Sequence, residues 1–311
     1  MISRVDPDRL SEALAAGVKV LDGGLATELE AAGHDLSGSL WSGRVLRDDP
    51  GAIQAAHVRF FDAGAQVATT ASYQLSFAGL ARVGVDRSAA EALLQRSVRV
   101  AAQARARASD PDSCWVAASI GPYGAALADG SEYRGDYGRS VAELRSWHRP
   151  RLAVLGATVL AEDGADLLAC ETVPCLAEAE ALLAEIAGSG VPCWLSLTCG
   201  SGKRTRAGEP VVEAFAMARD VAEVVAVGVN CLAPHDAGEL VPIAAEVSGK
   251  PVVVYPNSGQ EWDPTARRWR GSGESLAGQV GGWVEDGARL VGGCCRVGPA
   301  EIAAMGRRLV R

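Results

Sequence analysis

Short, almost wholly apolar runs alternate along this chain with longer stretches in which apolar residues recur about every 3.6 positions. Eight of the short runs read as strands: Val18–Leu21, Gln66–Thr69, Trp115–Ser119, Leu167–Ala169, Cys193–Leu197, Val225–Val229, Val252–Tyr255 and Arg289–Gly292. Most are apolar at successive positions, as strands buried on both faces of a parallel sheet must be. The helical spacing falls over Ile53–Ala63, Arg87–Ala108, Val141–Asp163, Ala177–Ala187, Glu213–Ala222, Asp236–Val247, Leu276–Glu285 and Ala300–Arg308. Gly64, Gly164, Gly188 and Gly249 stand where helix C-caps are expected. Pro174 and Pro299 stand where first helical turns begin.

Eight β–α units in 311 residues predict an α/β fold, a (β/α)8 barrel forming a single domain over residues 1–311. A doubly wound open sheet is the alternative. No Pro/Ser-rich linker divides the chain. The connections Gly121–Tyr137, Cys199–Pro210 and Pro256–Ser272 are long for a barrel and all follow strands. They therefore belong to the C-terminal face, where long loops build active sites.

Composition narrows the partners. The net charge is −8, with the two signs interspersed, so no basic surface is available for nucleic acid. The stretch Lys203-Arg204-Thr205-Arg206 reads as a solvated loop. Met1–Leu10 carries charges and lacks an apolar h-region, so it is not read as a secretory signal. No run reaches the roughly 18 apolar residues of a membrane helix. The expectation is a soluble, cytoplasmic protein, a monomer or homodimer, acting on small molecules. In that compartment its eight cysteines need no disulfides.

The candidate chemistry lies at strand ends. Gly292-Gly293-Cys294-Cys295-Arg296 closes the last strand and Gly228-Val229-Asn230-Cys231 the sixth. Three cysteines thus reach one barrel face from strands two apart. Three thiolates can hold Zn2+ and leave one position open, the mark of a catalytic site. Adjacent Cys294 and Cys295 would point to opposite faces within a strand, so they must sit in a turn. On spacing alone they fit a vicinal redox pair or buried apolar packing as well. The second class also takes Cys114, Cys170, Cys175, Cys193 and Cys199.

Asp22 ends strand one and Glu171 ends strand four. Either could accept an ammonium group or cap the next helix. The Gly23-Gly24 turn offers backbone N–H groups to a carboxylate. Of the four histidines only His235 follows a strand near the cysteines, and it reads as part of the next helix.

At these residues the chain resembles the homocysteine S-methyltransferase family. The matching segments run in order: Asp22-Gly23-Gly24-Leu25-Ala26-Thr27-Glu28-Leu29, Thr69-Thr70-Ala71-Ser72-Tyr73-Gln74, Ala128-Asp129-Gly130-Ser131-Glu132-Tyr133, Glu171-Thr172-Val173-Pro174, Gly228-Val229-Asn230-Cys231, Pro256-Asn257-Ser258-Gly259 and Gly292-Gly293-Cys294-Cys295-Arg296. The resemblance implies Zn2+ on Cys231, Cys294 and Cys295. It implies homocysteine near Asp22, Gly23, Gly24, Thr27, Glu171, Asn230 and Asn257, with methionine as product. It also implies a sulfonium donor, S-methylmethionine or S-adenosylmethionine, against which Tyr73 has a better claim to offer a π-face than Trp41 or Tyr133. Selenohomocysteine or another thiol as acceptor, and betaine as donor, are the variants. The segment Gly200–Arg206 departs from the acidic or polar stretch usual in the family.

Overall fold

The computed structural model describes residues 7–38, 40–263 and 268–309. The first part of the Met1–Leu10 reading, and residues 264–267 of the long 256–272 connection, lie outside the described residues.

Eight parallel strands form a barrel: β1 (Lys19–Val20), β2 (Val67–Thr69), β3 (Trp115–Ile120), β4 (Leu167–Val173), β5 (Cys193–Leu197), β6 (Val224–Asn230), β7 (Val252–Tyr255) and β8 (Ala288–Val291). Each pairs with its neighbour in sequence, and β8 pairs with β1. A parallel bridge between Leu21 and Val67 closes the ring. The (β/α)8 barrel is therefore formed, and the open-sheet alternative falls.

The alternation of the strands divides the core in two. Trp115, Ala117, Leu167, Ala169, Trp194, Ala226, Val253, Tyr255 and Leu290 fill the barrel interior, joined by Leu10 and Leu14 of the helix Pro7–Ala16. The intervening residues, among them Val116, Ala118, Leu168, Cys170, Val227 and Val254, pack outward against the helices. This double burial is why the strands lack an alternating polar pattern. Cys114, Cys170, Cys175, Cys193 and Cys199 are buried and unbridged, as expected.

Several boundaries differ from the pattern reading. β4 runs on to Val173, so Glu171 sits within the strand and not after it. Its register slips between Cys170 and Val173, where Thr172 takes φ 59°. Pro299 begins its helix, but Pro174 lies ahead of a helix that starts at Leu176. Gly64, Gly188 and Gly249 take the left-handed conformation; near residue 164 it is Asp163 that does so. Gly164 is needed for space, since a Cβ there would strike the Thr158 carbonyl.

The segment 276–285 is a short 3-10 turn followed by a helix at Val280–Glu285. Extra helices at Leu25–Ala31, Ser42–Asp48, Phe77–Arg82 and Tyr123–Leu127 fold within loops that follow β1, β2 and β3. The loops after β5 and β7 each contain a two-stranded antiparallel ribbon. Among the described residues, no helix is long and apolar enough to cross a membrane.

Candidate active site

The C-terminal end of β7 frames the three cysteines. β7 lies between β6 and β8. The Tyr255 carbonyl accepts from the Cys231 N–H (3.4 Å), and the Pro256 carbonyl from the Cys294 N–H (2.8 Å). The Asn257 Oδ1 then accepts from the Cys295 N–H at 3.1 Å, and the Ser258 N–H donates to the Cys295 carbonyl at 3.0 Å. One strand end therefore positions both cysteine segments. β8 stops at Val291, so Cys294 and Cys295 lie in the turn their adjacency requires.

The three sulfurs lie within 4.8 Å of one another. Cys231 Sγ is 2.6 Å from Cys294 Sγ and 4.0 Å from Cys295 Sγ. Thiolates at about 2.3 Å from a tetrahedral metal stand ~3.8 Å apart. The donor set thus fits one thiophilic ion with small adjustment of Cys231 and Cys294. No fourth His, Cys, Asp or Glu joins the cluster among the described residues. His235 is exposed at the start of helix Pro234–Ser248 and pairs with Asp236. Hydrogen bonds from Cys231 and Cys294 hold the Cys295 thiol well below its ordinary range. Contact with Cys231, then Cys295 and burial, pushes Cys294 up.

Three non-glycine residues at the site take the left-handed conformation: Thr172 (φ 59°), Cys231 (φ 53°) and Arg296 (φ 65°). Such residues cost about 1–3 kcal/mol each and persist only where their surroundings fix them. Asn230 fixes the first. Its Oδ1 accepts from the Thr172 N–H (2.8 Å) and the Ser196 hydroxyl (2.8 Å), and its amide donates to the Thr172 hydroxyl (2.7 Å). The Thr198 hydroxyl donates to the Cys231 carbonyl at 3.1 Å, with Arg206 reaching the same oxygen at 3.5 Å. The Thr27 hydroxyl accepts from the Arg296 N–H at 2.9 Å. Asn230 and Asn257 thus hold backbone behind the cleft and do not line it, whereas Thr27 does both.

The cleft above the sulfurs encloses about 930 Å3, part of it open to solvent. Asp22, Gly23, Gly24, Thr27, Tyr73 and Glu171 line it, as do Trp41, Glu132 and Tyr133. A Cβ at Gly24 would come within 2.6 Å of the Cys294 carbonyl, so glycine lets the β1 turn approach the cysteine turn. The Gly24 N–H itself donates to the Val297 carbonyl at 2.9 Å and is already engaged.

Both expected carboxyls are buried. Asp22 accepts from the Thr69 N–H (2.8 Å) and hydroxyl (3.2 Å). Glu171 accepts from the Ser119 hydroxyl and, at 3.1 Å, from Tyr255. Burial outweighs these donors, raising Asp22 to about 8 and Glu171 to about 7. Glu171 adds to the rise at Asp22. A cation placed between two such buried acids would favour the charged form of each.

Thr69, Ser119 and Tyr255 were not singled out by the sequence. Each ends its strand or lies one residue from that end, and each serves by holding a carboxyl. Four acidic side chains line the cleft, counting Glu30 with Asp22, Glu132 and Glu171, and among the described residues no Lys, Arg or His does so.

Residues 19–309 match the family model described as homocysteine S-methyltransferase. The chain is 42% identical to the homocysteine S-methyltransferase YbgG of Bacillus subtilis (strain 168), over 93% of this chain and 95% of that one. It is 41% identical to a selenocysteine Se-methyltransferase of Brassica oleracea var. italica, over 94% and 89%. Among solved structures it resembles the metallated form of the homocysteine methyltransferase MmuM from Escherichia coli. There the TM-score is 0.85 at 41% identity, covering 97% of this chain and all (100%) of that one.

Proposed function

Because the chain belongs to the homocysteine S-methyltransferase family and transfers a methyl group to homocysteine, we propose that Cys231, Cys294 and Cys295 hold Zn2+ and that the methyl donor is a sulfonium cation. The observation that carries this reading is the convergence of three sulfurs within 4.8 Å beneath a cleft whose charged side chains, among the described residues, are all acidic. That the E. coli relative has a metallated form supports an ion here. The thiolate donor set favours zinc over harder ions. When bound, zinc supplies the charge that lets a thiol lose its proton at neutral pH.

The chain's own residues do the rest. Asp22 and Glu171 receive the homocysteine ammonium, and its carboxylate lies at the backbone of the Gly23–Thr27 turn. Entry of the ammonium lets the two buried acids give up their protons, because an adjacent cation favours the charged form. Asn230 and Asn257 keep the Cys231 and Cys295 segments in place. Tyr73, Trp41 and Tyr133 line the approach of the donor, and Tyr73 and Trp41 meet edge-to-face with centroids 6.4 Å apart.

In the transfer, the homocysteine sulfur forms a bond to the methyl carbon as the bond from that carbon to the donor sulfur breaks. The electron pair leaves with the donor as a neutral thioether, and methionine is the product. Opposite charges cancel in this step, so alignment matters more than stabilisation of new charge. S-methylmethionine or S-adenosylmethionine supplies such a sulfonium. The Brassica relative favours a second reading of the acceptor, in which a selenol is methylated as well, and side-by-side turnover of homocysteine and selenohomocysteine separates the two.

Cys294→Ser is expected to lose zinc and methionine formation together while keeping its circular dichroism spectrum. Metal-free wild-type protein that still made methionine from homocysteine would overturn the reading. Parallel assays with S-methylmethionine, S-adenosylmethionine and betaine identify the donor.

A further inference from the structure

Of the four carboxyls at the cleft, three have partners on other residues. Asp22 accepts from Thr69, Glu171 from Ser119 and Tyr255, and Glu30 lies 3.6 Å from an Arg296 nitrogen. The fourth, Glu132, buries its Oε2 with no hydrogen-bond partner among the described residues. A buried acceptor left unsatisfied costs about 1–3 kcal/mol, more when charged.

The backbone that aims Glu132 is built with care. Ser131–Tyr133 form one 3-10 turn, closed by the Ser131 N–H on Asp129 Oδ1 at 2.9 Å and by Arg134 on the Ser131 hydroxyl at 2.9 Å. The turn packs so closely on Gly124 that a Cβ there would strike the Glu132 N–H. Glu132 lines the cleft together with Tyr73, Tyr133 and the cysteines, with Cys231 and Arg134 close enough to act on its charge. Its place is on the β3 loop, whereas Asp22 and Glu171 extend from β1 and β4.

We infer that Glu132 receives the ammonium group of an α-amino-acid methyl donor and so selects that donor class over sulfonium compounds without an amine. This rests on the sulfonium reading above. The ammonium is a spectator that keeps its charge throughout the transfer. Its contact is therefore equally strong before and during the reaction and appears in KM, with kcat unchanged.

The test uses zinc-loaded full-length enzyme and two probes. S-methylmethionine carries the ammonium. Dimethylsulfonioacetate has a sulfonium and a carboxylate without it, and is measured as alternative substrate or competitive inhibitor. Glu132→Gln keeps the shape and removes the charge. The expected result is a rise of about 10- to 100-fold in the KM of S-methylmethionine, matching loss of one charged hydrogen bond. The kcat, the Kd of homocysteine and the constant for dimethylsulfonioacetate should stay within about twofold, since none involves the ammonium contact. Equal weakening of both probes, or of homocysteine binding, would assign Glu132 a structural role and overturn the inference, as would no change at all. Wild-type enzyme that binds and demethylates neither sulfonium would instead sink the donor reading, and this inference with it.

Discussion

Asp22→Asn tests Asp22 as the proposed ammonium acceptor. The side chain keeps its shape, and no partner is lost. The Asn carbonyl can accept from the Thr69 N–H, now 2.8 Å from Asp22, while its amide donates to the Thr69 hydroxyl, now at 3.2 Å. What disappears is the charge. In the ligand-free protein, burial raises Asp22 from its ordinary 3.8 to about 8. Between those values the folded protein holds a proton that the unfolded chain has released. Wild-type stability therefore falls as pH rises through that window and levels off above it. At ~1.4 kcal/mol per pH unit, the variant's advantage has a ceiling of roughly 2 kcal/mol at pH 5, 4 at pH 7 and 6 at pH 8.5.

Urea unfolding of both proteins at these three pH values, in the absence of homocysteine, reads this difference directly. Homocysteine should reverse the order. Its ammonium pairs with the wild-type carboxylate, and removing one partner of a buried charge pair costs about 2–5 kcal/mol of binding. A variant whose stability tracked wild type at every pH, and which homocysteine stabilised equally, would refute the assignment of Asp22 as a destabilising ammonium acceptor.

Other outcomes follow from the same geometry. Homocysteine affinity, followed by calorimetry, should weaken in two steps as pH falls through about 8 and about 7, where Asp22 and then Glu171 take up protons, and Glu171→Gln should remove the lower step, keep the upper one and weaken binding. Asn230→Leu leaves the left-handed Thr172 N–H and hydroxyl and the Ser196 hydroxyl without their acceptor or donor, so urea unfolding should show a loss of about 2–4 kcal/mol. His57 is fully buried, lowered by burial to about 4 and unpartnered at both ring nitrogens among the described residues. His57→Leu should therefore raise stability by about 1–3 kcal/mol with no change in turnover, removing two unmet polar groups.

The barrel was legible because its signal repeats. Strands buried on both faces give apolar runs, and helices packed on one face give a 3.6 period, so eight repetitions outweigh errors at any one boundary. The cysteine cluster was legible because its three sulfurs come from the ends of two strands with one strand between them. The residues that hold the first-named side chains were not. Thr69 and Ser119 are ordinary strand residues by composition, and Tyr255 reads as one more buried aromatic. Their value comes from pairing across strands that lie 47 to 84 residues away from Asp22 or Glu171 in sequence. The reading of β4 stopped at Ala169 because Glu171 and Thr172 break the apolar run. That break is where the strand carries its chemistry.

The strained residues explain why the two halves of the site can meet at all. A parallel barrel strand presents side chains alternately inward and outward, and neither direction points along the barrel axis into the cleft. Thr172, Cys231 and Arg296 leave the extended conformation at or just beyond the ends of β4, β6 and β8. Each departure turns the chain within one residue. At Cys231 it brings the sulfur over Cys294 and not into the core behind β6. At Thr172 it frees Glu171 from the regular register with β5. Glycine would take the same backbone angle at lower cost, but at Cys231 it would remove the thiol and at Thr172 the hydroxyl bound by Asn230. The β1 turn and the cysteine turn are linked further by Gly24 on Val297 and Gly293 on Asp22. A shift of the cysteine turn therefore moves the Asp22 backbone too. The structure thus couples the group that would hold the sulfur to the group that would hold the ammonium of one small substrate, through main-chain contacts that occupy no space in the cleft.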